Sequence, residues 1–226
     1  MTAPALLHQY QIPSKIHSQL GWRQAVETAE TLATGVASFD GLMGGCPRGR
    51  ITEIIGANSS GRTSLMHRVL SAAGERGEYC AVVDASNSFD PLTASRAGVD
   101  LGALVLVQCG HKLEHAMKSA DMLIHSGGFG VVALDLCDVT ASWARKIPLS
   151  WWYRFQRADE KTPTILLILG KEAHAKSCAT VTAEVRREEE SFPGEFPFQL
   201  MTGARYRVMA RKPNIQTTQP SFSVHA

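Results

Sequence analysis

No apolar run in the 226 residues reaches the length of a bilayer span, and the N-terminal MTAPALLHQYQ has neither a charged leader nor a long apolar stretch. Membrane insertion and secretion are set aside, and a soluble cytoplasmic chain is expected. Cysteine is poorly placed for metal or redox work: the five residues Cys46, Cys80, Cys109, Cys137 and Cys178 are odd in number and include no C-x-x-C pair. Several lie in apolar runs, so they read as buried reduced thiols. Charge of one sign is also lacking, since a net charge of +2 is too small to demand a nucleic-acid partner. No internal repeat and no low-complexity tract is present. With 44% apolar and 19% charged residues the chain is not disordered. In HKLEHAMKSADMLIHS, His111 and His115 are spaced for one helix face, but no third metal ligand accompanies them, and an exposed helix surface is expected.

What is present begins with Gly56-Ala57-Asn58-Ser59-Ser60-Gly61-Arg62-Thr63, which fits the phosphate-loop pattern G-x-x-x-x-G-K-[ST] except that arginine stands at the lysine position. Glycines let backbone N–H groups curl around phosphate oxygens, and the terminal hydroxyl holds magnesium. The context suits such a loop. Arg50 to Ile55 is a β-rich run, and residues 63–76 carry Leu65, Met66, Val69 and Leu70 at helical spacing. Strand, loop and helix in register would aim a helix N-terminus at an anion. A second strand, Val131-Val132-Ala133-Leu134, ends in Asp135, the candidate second magnesium ligand beside Thr63. The plainer reading of Asp135 is a loop-capping carboxylate.

Strand-like segments recur at 51–55, 79–84, 104–107, 130–135 and 164–169, mostly separated by helical patterns. Near-continuous apolar strands joined by helices predict a mostly parallel sheet covered on both faces. Beyond residue 195, YRVMAR and SFSVH predict a closing antiparallel hairpin. Trp22 to Leu32 suggests a short helix. The expected organisation is an N-terminal association or partner-binding segment, 1–33, before one α/β domain, 34–226.

The segment ATGVASFDGLMGGCPRGRITEIIGANSSGRTS, followed by YCAVVDASNSFDPLTASRAGVD, resembles the ATPase core of the bacterial RecA recombinases. The shared elements are T-G-x-x-x-x-D, the G-R-I-x-E-I strand, the S-S-G loop, the V-D-A strand end and a D-P…A…G-V-D helix, in register from about Thr34 to Asp135. The resemblance implies a RecA-like P-loop core that binds ATP and magnesium. It implies nucleotide contacts from Gly56, Asn58, Ser59, Ser60, Gly61, Arg62, Thr63, Ser64 and Asp90, and magnesium at Thr63 and Asp135.

The departures bear on activity. Where the family has a glutamate that activates water, Ser86 stands here, and serine is no general base at neutral pH. Arg62 replaces a compact ammonium by a wide planar fork. Together they argue against efficient hydrolysis, although Asp84, Asp90 and Asp138 are nearby carboxylates. The two segments matching the family's DNA-binding loops are short, LCDVTASWARKIPLS and GKEAHAKSCATV, with Lys171 where the family has a nucleotide-sensing glutamine. Arg145, Lys146, Lys171 and Lys176 are candidate single-stranded-DNA contacts, with Arg154 and Arg157 interleaved among Trp143, Trp151, Trp152 and Tyr153. Against this stands the plainer reading that Trp151 and Trp152 fill a helix–sheet interface.

A short core with eroded catalysis and trimmed DNA loops is similar to the ImuA group, RecA relatives that assist translesion synthesis. That likeness implies a DNA-damage-response accessory protein docking on RecA or translesion-polymerase components, with self-association open. Two other readings stand beside it: a compact DNA-stimulated ATPase, and an interaction protein resembling the SulA cell-division inhibitors.

Overall fold

A computed structural model of the chain describes residues 30–192, 202–212 and 221–225. The expected helix from Trp22 to Leu32 lies largely outside the described residues, and its end is corrected. Thr31–Leu32 is a strand, β1, paired antiparallel with Cys46–Pro47, β2. The physical reason is burial: Leu32 is 1% exposed in the main core, where an edge pairing satisfies its backbone. Gly45 permits the approach. It has φ +89, and a Cβ there would stand 2.5 Å from the Leu32 carbonyl oxygen.

Between these strands runs helix α1, Ala37–Met43. Its start explains the T-G-x-x-x-x-D pattern: the Thr34 N–H and hydroxyl both donate to Asp40 Oδ1 at 2.9 Å, and the Gly35 N–H donates to Oδ2 at 3.0 Å. The Asp40 carboxylate thus folds the preceding turn over the helix it belongs to.

The main sheet contains β3 (Ile51–Ile55), β4 (Tyr79–Asp84), β5 (Leu104–Gln108), β6 (Phe129–Asp135), β7 (Ile165–Gly170), β8 (Val181–Ser191), β9 (Gly203–Lys212) and β10 (Ser221–His225). Their order is β10-β9-β8-β3-β7-β6-β4-β5. Every pairing from β8 through β5 is parallel, while β8–β9 and β9–β10 are antiparallel. The expected mostly parallel α/β sheet with a C-terminal antiparallel hairpin is therefore present.

The helices are α2 (Arg62–Gly74), α3 (Pro91–Arg96), α4 (Leu113–Ser126), α5 (Ala141–Ala144) and α6 (Leu149–Asp159). Successive strand residues point to opposite faces, so each apolar strand feeds two cores. Val82, Val131, Ala133 and Leu167 meet α1 and α2 through Phe39, Leu65, Met66 and Val69. Ala81, Val83, Val132, Leu134 and Ile168 meet α4 and α6 through Met117, Ile124, Trp152 and Phe155. Trp152 is 1% exposed, so it fills the helix–sheet interface rather than a stacking platform. Burying such large side chains stabilises by about 1.5–3 kcal/mol each. All five cysteines are free and buried, and burial pushes the Cys46 and Cys80 thiols up to about 12, leaving them unreactive.

Because the central strands are parallel, the turns after β3, β4, β6 and β7 emerge on one edge of the sheet. In open α/β sheets that edge is where ligands bind. At the opposite edge, the Arg48 guanidinium forks onto Glu78, with Nη1 at 2.8 Å and Nη2 at 2.5 Å, and Nη1 also donates to the Gly130 carbonyl. One side chain thereby ties the segment before β3 to the starts of β4 and β6.

Candidate functional site

The segment after β3 has the geometry its sequence predicts. Ser59 and Gly61 both adopt left-handed backbone, with φ 57 and 93, on either side of Ser60. Such alternation turns successive N–H groups into one concavity, a natural anion cradle. The helix then begins at Arg62 with Gly61 as its N-cap and no side-chain cap. The first-turn amides of Arg62, Thr63 and Ser64 have no acceptor within their own helix, and the helix dipole adds positive character there. Thr63 is exposed, its hydroxyl free to face a ligand.

Arg62 is only 6% exposed, and its Nη1 has no hydrogen-bond partner among the described residues. Ser60 Oγ, 3% exposed, also lacks a partner. An unmatched buried donor costs about 1–3 kcal/mol, and a buried ion several kcal/mol. A phosphate group would satisfy both the fork and the cradle amides. The residues present therefore fit a phosphate ligand.

The second carboxylate lies where the β6 strand end puts it. Asp135 is 5% exposed, pairs in register with Asp84 on β4, and accepts the Cys137 N–H at 2.8 Å through Oδ1. Burial raises its pKa, the Asp84 charge pushes the same way, and the Arg62 charge opposes them. Arg62 is thus close enough to act as counterion to the carboxylate that would help hold magnesium. Magnesium needs only one or two carboxylates beside substrate phosphates, so Thr63 and Asp135 suit that ion as the protein's share. No group of three or more acidic, histidine or cysteine side chains is gathered for a metal among the described residues.

The remaining carboxylates are committed elsewhere. Asp84 is fully buried and accepts the N–H groups of Ser86 at 3.0 Å and Phe89 at 2.7 Å, shaping the turn after β4. Asp90 caps α3, accepting from Leu92 N–H, Thr93 N–H and the Thr93 hydroxyl, and these bonds hold its pKa down. Asp138 is exposed beyond the β6 end. Ser86 occupies the position expected of a water-activating acid; its Oγ is buried and without a partner among the described residues.

The candidate DNA contacts divide between two neighbouring turns on the same edge. Arg145 Nε reaches Glu172 at 3.3 Å, linking the segment after β6 to the one after β7. Lys146 Nζ lies 5.2 Å from the Trp143 ring centroid, a cation–π contact on an exposed indole. Lys171 and Lys176 are exposed on the second turn. Arg154 instead turns to the α4 side, forking onto Asp121. His111 and His115 are both exposed, as expected, but they share no helix face: His111 has φ 62 in the turn before α4, and only His115 stands on the helix.

Sequence reasoning missed the contributions of the C-terminal strands. Tyr206 on β9 lays its ring against Gly61, and Phe222 on β10 lies 5.3 Å beyond it. It also missed Glu53 on β3, fully buried, whose Oε1 accepts the His174 N–H at 2.6 Å and the Ala175 N–H at 3.1 Å. A buried glutamate in a central strand was the one local signal available, since such a group is retained only where amides satisfy it.

The RecA N-terminal domain family matches residues 14–145. The chain is 42% identical over 119 residues to Protein RecA of Rhodospirillum rubrum, covering 52% of this chain and 32% of that protein. It is 40% identical over 119 residues to Protein RecA of Agrobacterium fabrum, with 52% and 32% covered, and 40% identical over 114 residues to that of Bifidobacterium breve, with 50% and 29% covered. The matched segment spans about a third of the length of these relatives.

Proposed function

Because the chain belongs to the RecA N-terminal domain family, we propose that it is a RecA-like accessory protein of DNA repair that binds nucleotide with weak or absent hydrolysis. The observation that carries this reading is Arg62, buried without a partner for Nη1 among the described residues, at the base of an intact cradle. A cradle beside an unmatched guanidinium nitrogen suits an anion. Ser86, by contrast, offers no base to deprotonate water. Binding and turnover are thereby separated.

ATP is the proposed ligand. Gly56, Asn58, Ser59, Ser60, Gly61 and Ser64 would surround its phosphates, Arg62 would pair with them, and Asp90 would lie at the nucleoside end. Magnesium, when bound, would supply charge neutralisation between the phosphates, with Thr63 and Asp135 as its protein ligands. The finer proposal is an ImuA-like role in the cytoplasm: docking on RecA or translesion-polymerase components during the DNA-damage response. Self-association is part of the same proposal. The adjoining turns that carry Arg145, Lys146, Lys171 and Lys176 give the same edge a cationic rim suited to single-stranded DNA.

The test is a melting-temperature titration with ATP and magnesium, with and without single-stranded DNA, on wild type, Arg62→Lys and Arg62→Ala. Wild type and Arg62→Lys are expected to melt at rising temperature with ligand concentration, and Arg62→Ala to respond weakly. No shift in any variant would sink nucleotide binding. ATP turnover stimulated by DNA would instead support the compact-ATPase reading, for which Thr63 and Asp135 remain in place.

A further inference from the structure

A groove of about 1160 Å³ opens beside the phosphate loop and is lined by Ser64, His67 and Arg68 of α2 and by Thr93 and Arg96 of α3, with strand β10 opposite. Its chemistry is one-signed: two arginines and several hydroxyls line it, and no carboxylate does among the described lining residues. Arg68 and Arg96 are both exposed, and neither has a hydrogen-bonded or ion-paired partner among the described residues. The Arg96 charge helps hold down the pKa of Asp90, but the Asp90 oxygens accept from α3 amides and the Thr93 hydroxyl and make no hydrogen bond to Arg96 among the described residues. Two free planar forks facing one space suit an oxyanion, because guanidinium binds phosphate through paired N–H donors.

Three further observations place that anion. Ser64 belongs to the first turn of the loop helix, so the groove is continuous with the cradle. Arg68 Nη2 lies 3.3 Å from where a side chain at Gly35 would begin, so glycine leaves its fork room. His67, which precedes Arg68 on α2, also lines the groove. It is 3% exposed, its Nε2 has no partner among the described residues, and its ring meets Phe89 edge-on at 5.8 Å. Burial lowers the His67 pKa, which makes it a neutral polar contact rather than a third cation.

We propose that Arg68 and Arg96 bind a second phosphate of the ligand held by the loop, so that the site favours nucleotides phosphorylated on the ribose as well as at the 5′ end. This rests on the nucleotide-binding reading above. The experiment compares matched pairs by calorimetry: adenosine 5′-phosphate with adenosine 3′,5′-bisphosphate, and guanosine 5′-diphosphate with its 3′-diphosphorylated form. In wild type the 3′-phosphorylated member of a pair is expected to bind at least tenfold tighter. In Arg68→Ser/Arg96→Ser that preference falls below threefold while the simpler nucleotide binds as before; Arg68→Lys/Arg96→Lys retains part of it and shows that the fold tolerates change there. Equal affinity within both pairs in wild type overturns the second-phosphate site and leaves nucleotide binding standing. Binding of no member of either pair, with the protein folded by circular dichroism, removes the nucleotide reading and this one with it.

Discussion

The ring of Tyr206 lies against Gly61, so that a Cβ at Gly61 would stand 2.7 Å from Cδ1 and 2.8 Å from Cγ of the tyrosine. A strand near the C-terminus thus closes one wall of a loop built near the beginning of the chain. Tyr206 is 8% exposed and packs on Phe222, so the wall is part of the core and not a loose flap. Loop shape and hairpin docking are therefore one structural event.

Gly61→Ala is expected to destabilise the protein by about 2 kcal/mol or more, since it adds a clash to a left-handed backbone. Tyr206→Ala should cost about 3 kcal/mol through the cavity it leaves. The two share one contact, so the double variant should lose less than the sum of the singles in denaturant titrations. Strict additivity would show that the ring and the loop are energetically independent.

Stability should fall as pH rises toward 8, and Asp159 contributes to that fall. The residue is fully buried at the end of α6, its Oδ1 lacks a partner among the described residues, and Oδ2 accepts the Leu166 N–H at 3.3 Å. Burial raises its pKa to about 8, with Arg50 opposing and Glu160 reinforcing the shift. Unfolded, the same carboxyl titrates near about 4. Between these values the folded state holds a proton that the unfolded state has released. This contribution is complete below the unfolded pKa and is lost at up to about 1.4 kcal/mol per pH unit as pH climbs through the folded one. Asp159→Asn should flatten the decline of melting temperature between pH 5 and 8. An unchanged slope would assign the decline to other groups.

Arg48→Ala should cost about 1–3 kcal/mol, because it removes a fork whose arginine side chain is only 9% exposed, while Glu78, partly exposed, keeps the Arg76 Nε donor at 3.1 Å. Glu78→Gln keeps one acceptor and should cost less. Urea titrations on the two variants measure the difference, and an unchanged midpoint in Glu78→Gln would mean that the charge of Glu78 contributes nothing beyond its shape.

The loop at Gly56 to Thr63 was legible because strand, glycines and helix are consecutive in sequence, and the parallel strands because burial on both faces makes them continuously apolar. Asp135 was legible for the same reason, as the acid ending such a run. Strand β1 was not. Two residues carry no periodicity, and Thr31–Leu32 follows a helix-like pattern whose fate is decided by the partner strand at Cys46–Pro47. Tyr206 at Gly61 was also beyond reach, since no local pattern says which strand covers a loop. Likewise the free forks of Arg68 and Arg96 differ from the many paired arginines only through tertiary placement.

The turn after β7 is held from two sides. Glu53 accepts the N–H groups of His174 and Ala175 from inside the sheet, while Lys212 on β9 donates to the carbonyls of Ser177, at 2.8 Å, and Ala179. Glu53→Ala leaves two buried amides without acceptors, a loss of about 2–4 kcal/mol. Faster hydrogen exchange should then appear at residues 171–179 before the rest of the sheet loosens. Since that turn carries Lys171 and Lys176 with their charges unchanged, any fall in single-stranded-DNA affinity in Glu53→Ala would come from lost shape. Lys171→Ala/Lys176→Ala removes charge with the shape retained, and should weaken binding with a shallower salt dependence. If neither variant alters DNA affinity while exchange at 171–179 does change, the turn is a structural closure of the sheet edge and the DNA contact lies elsewhere.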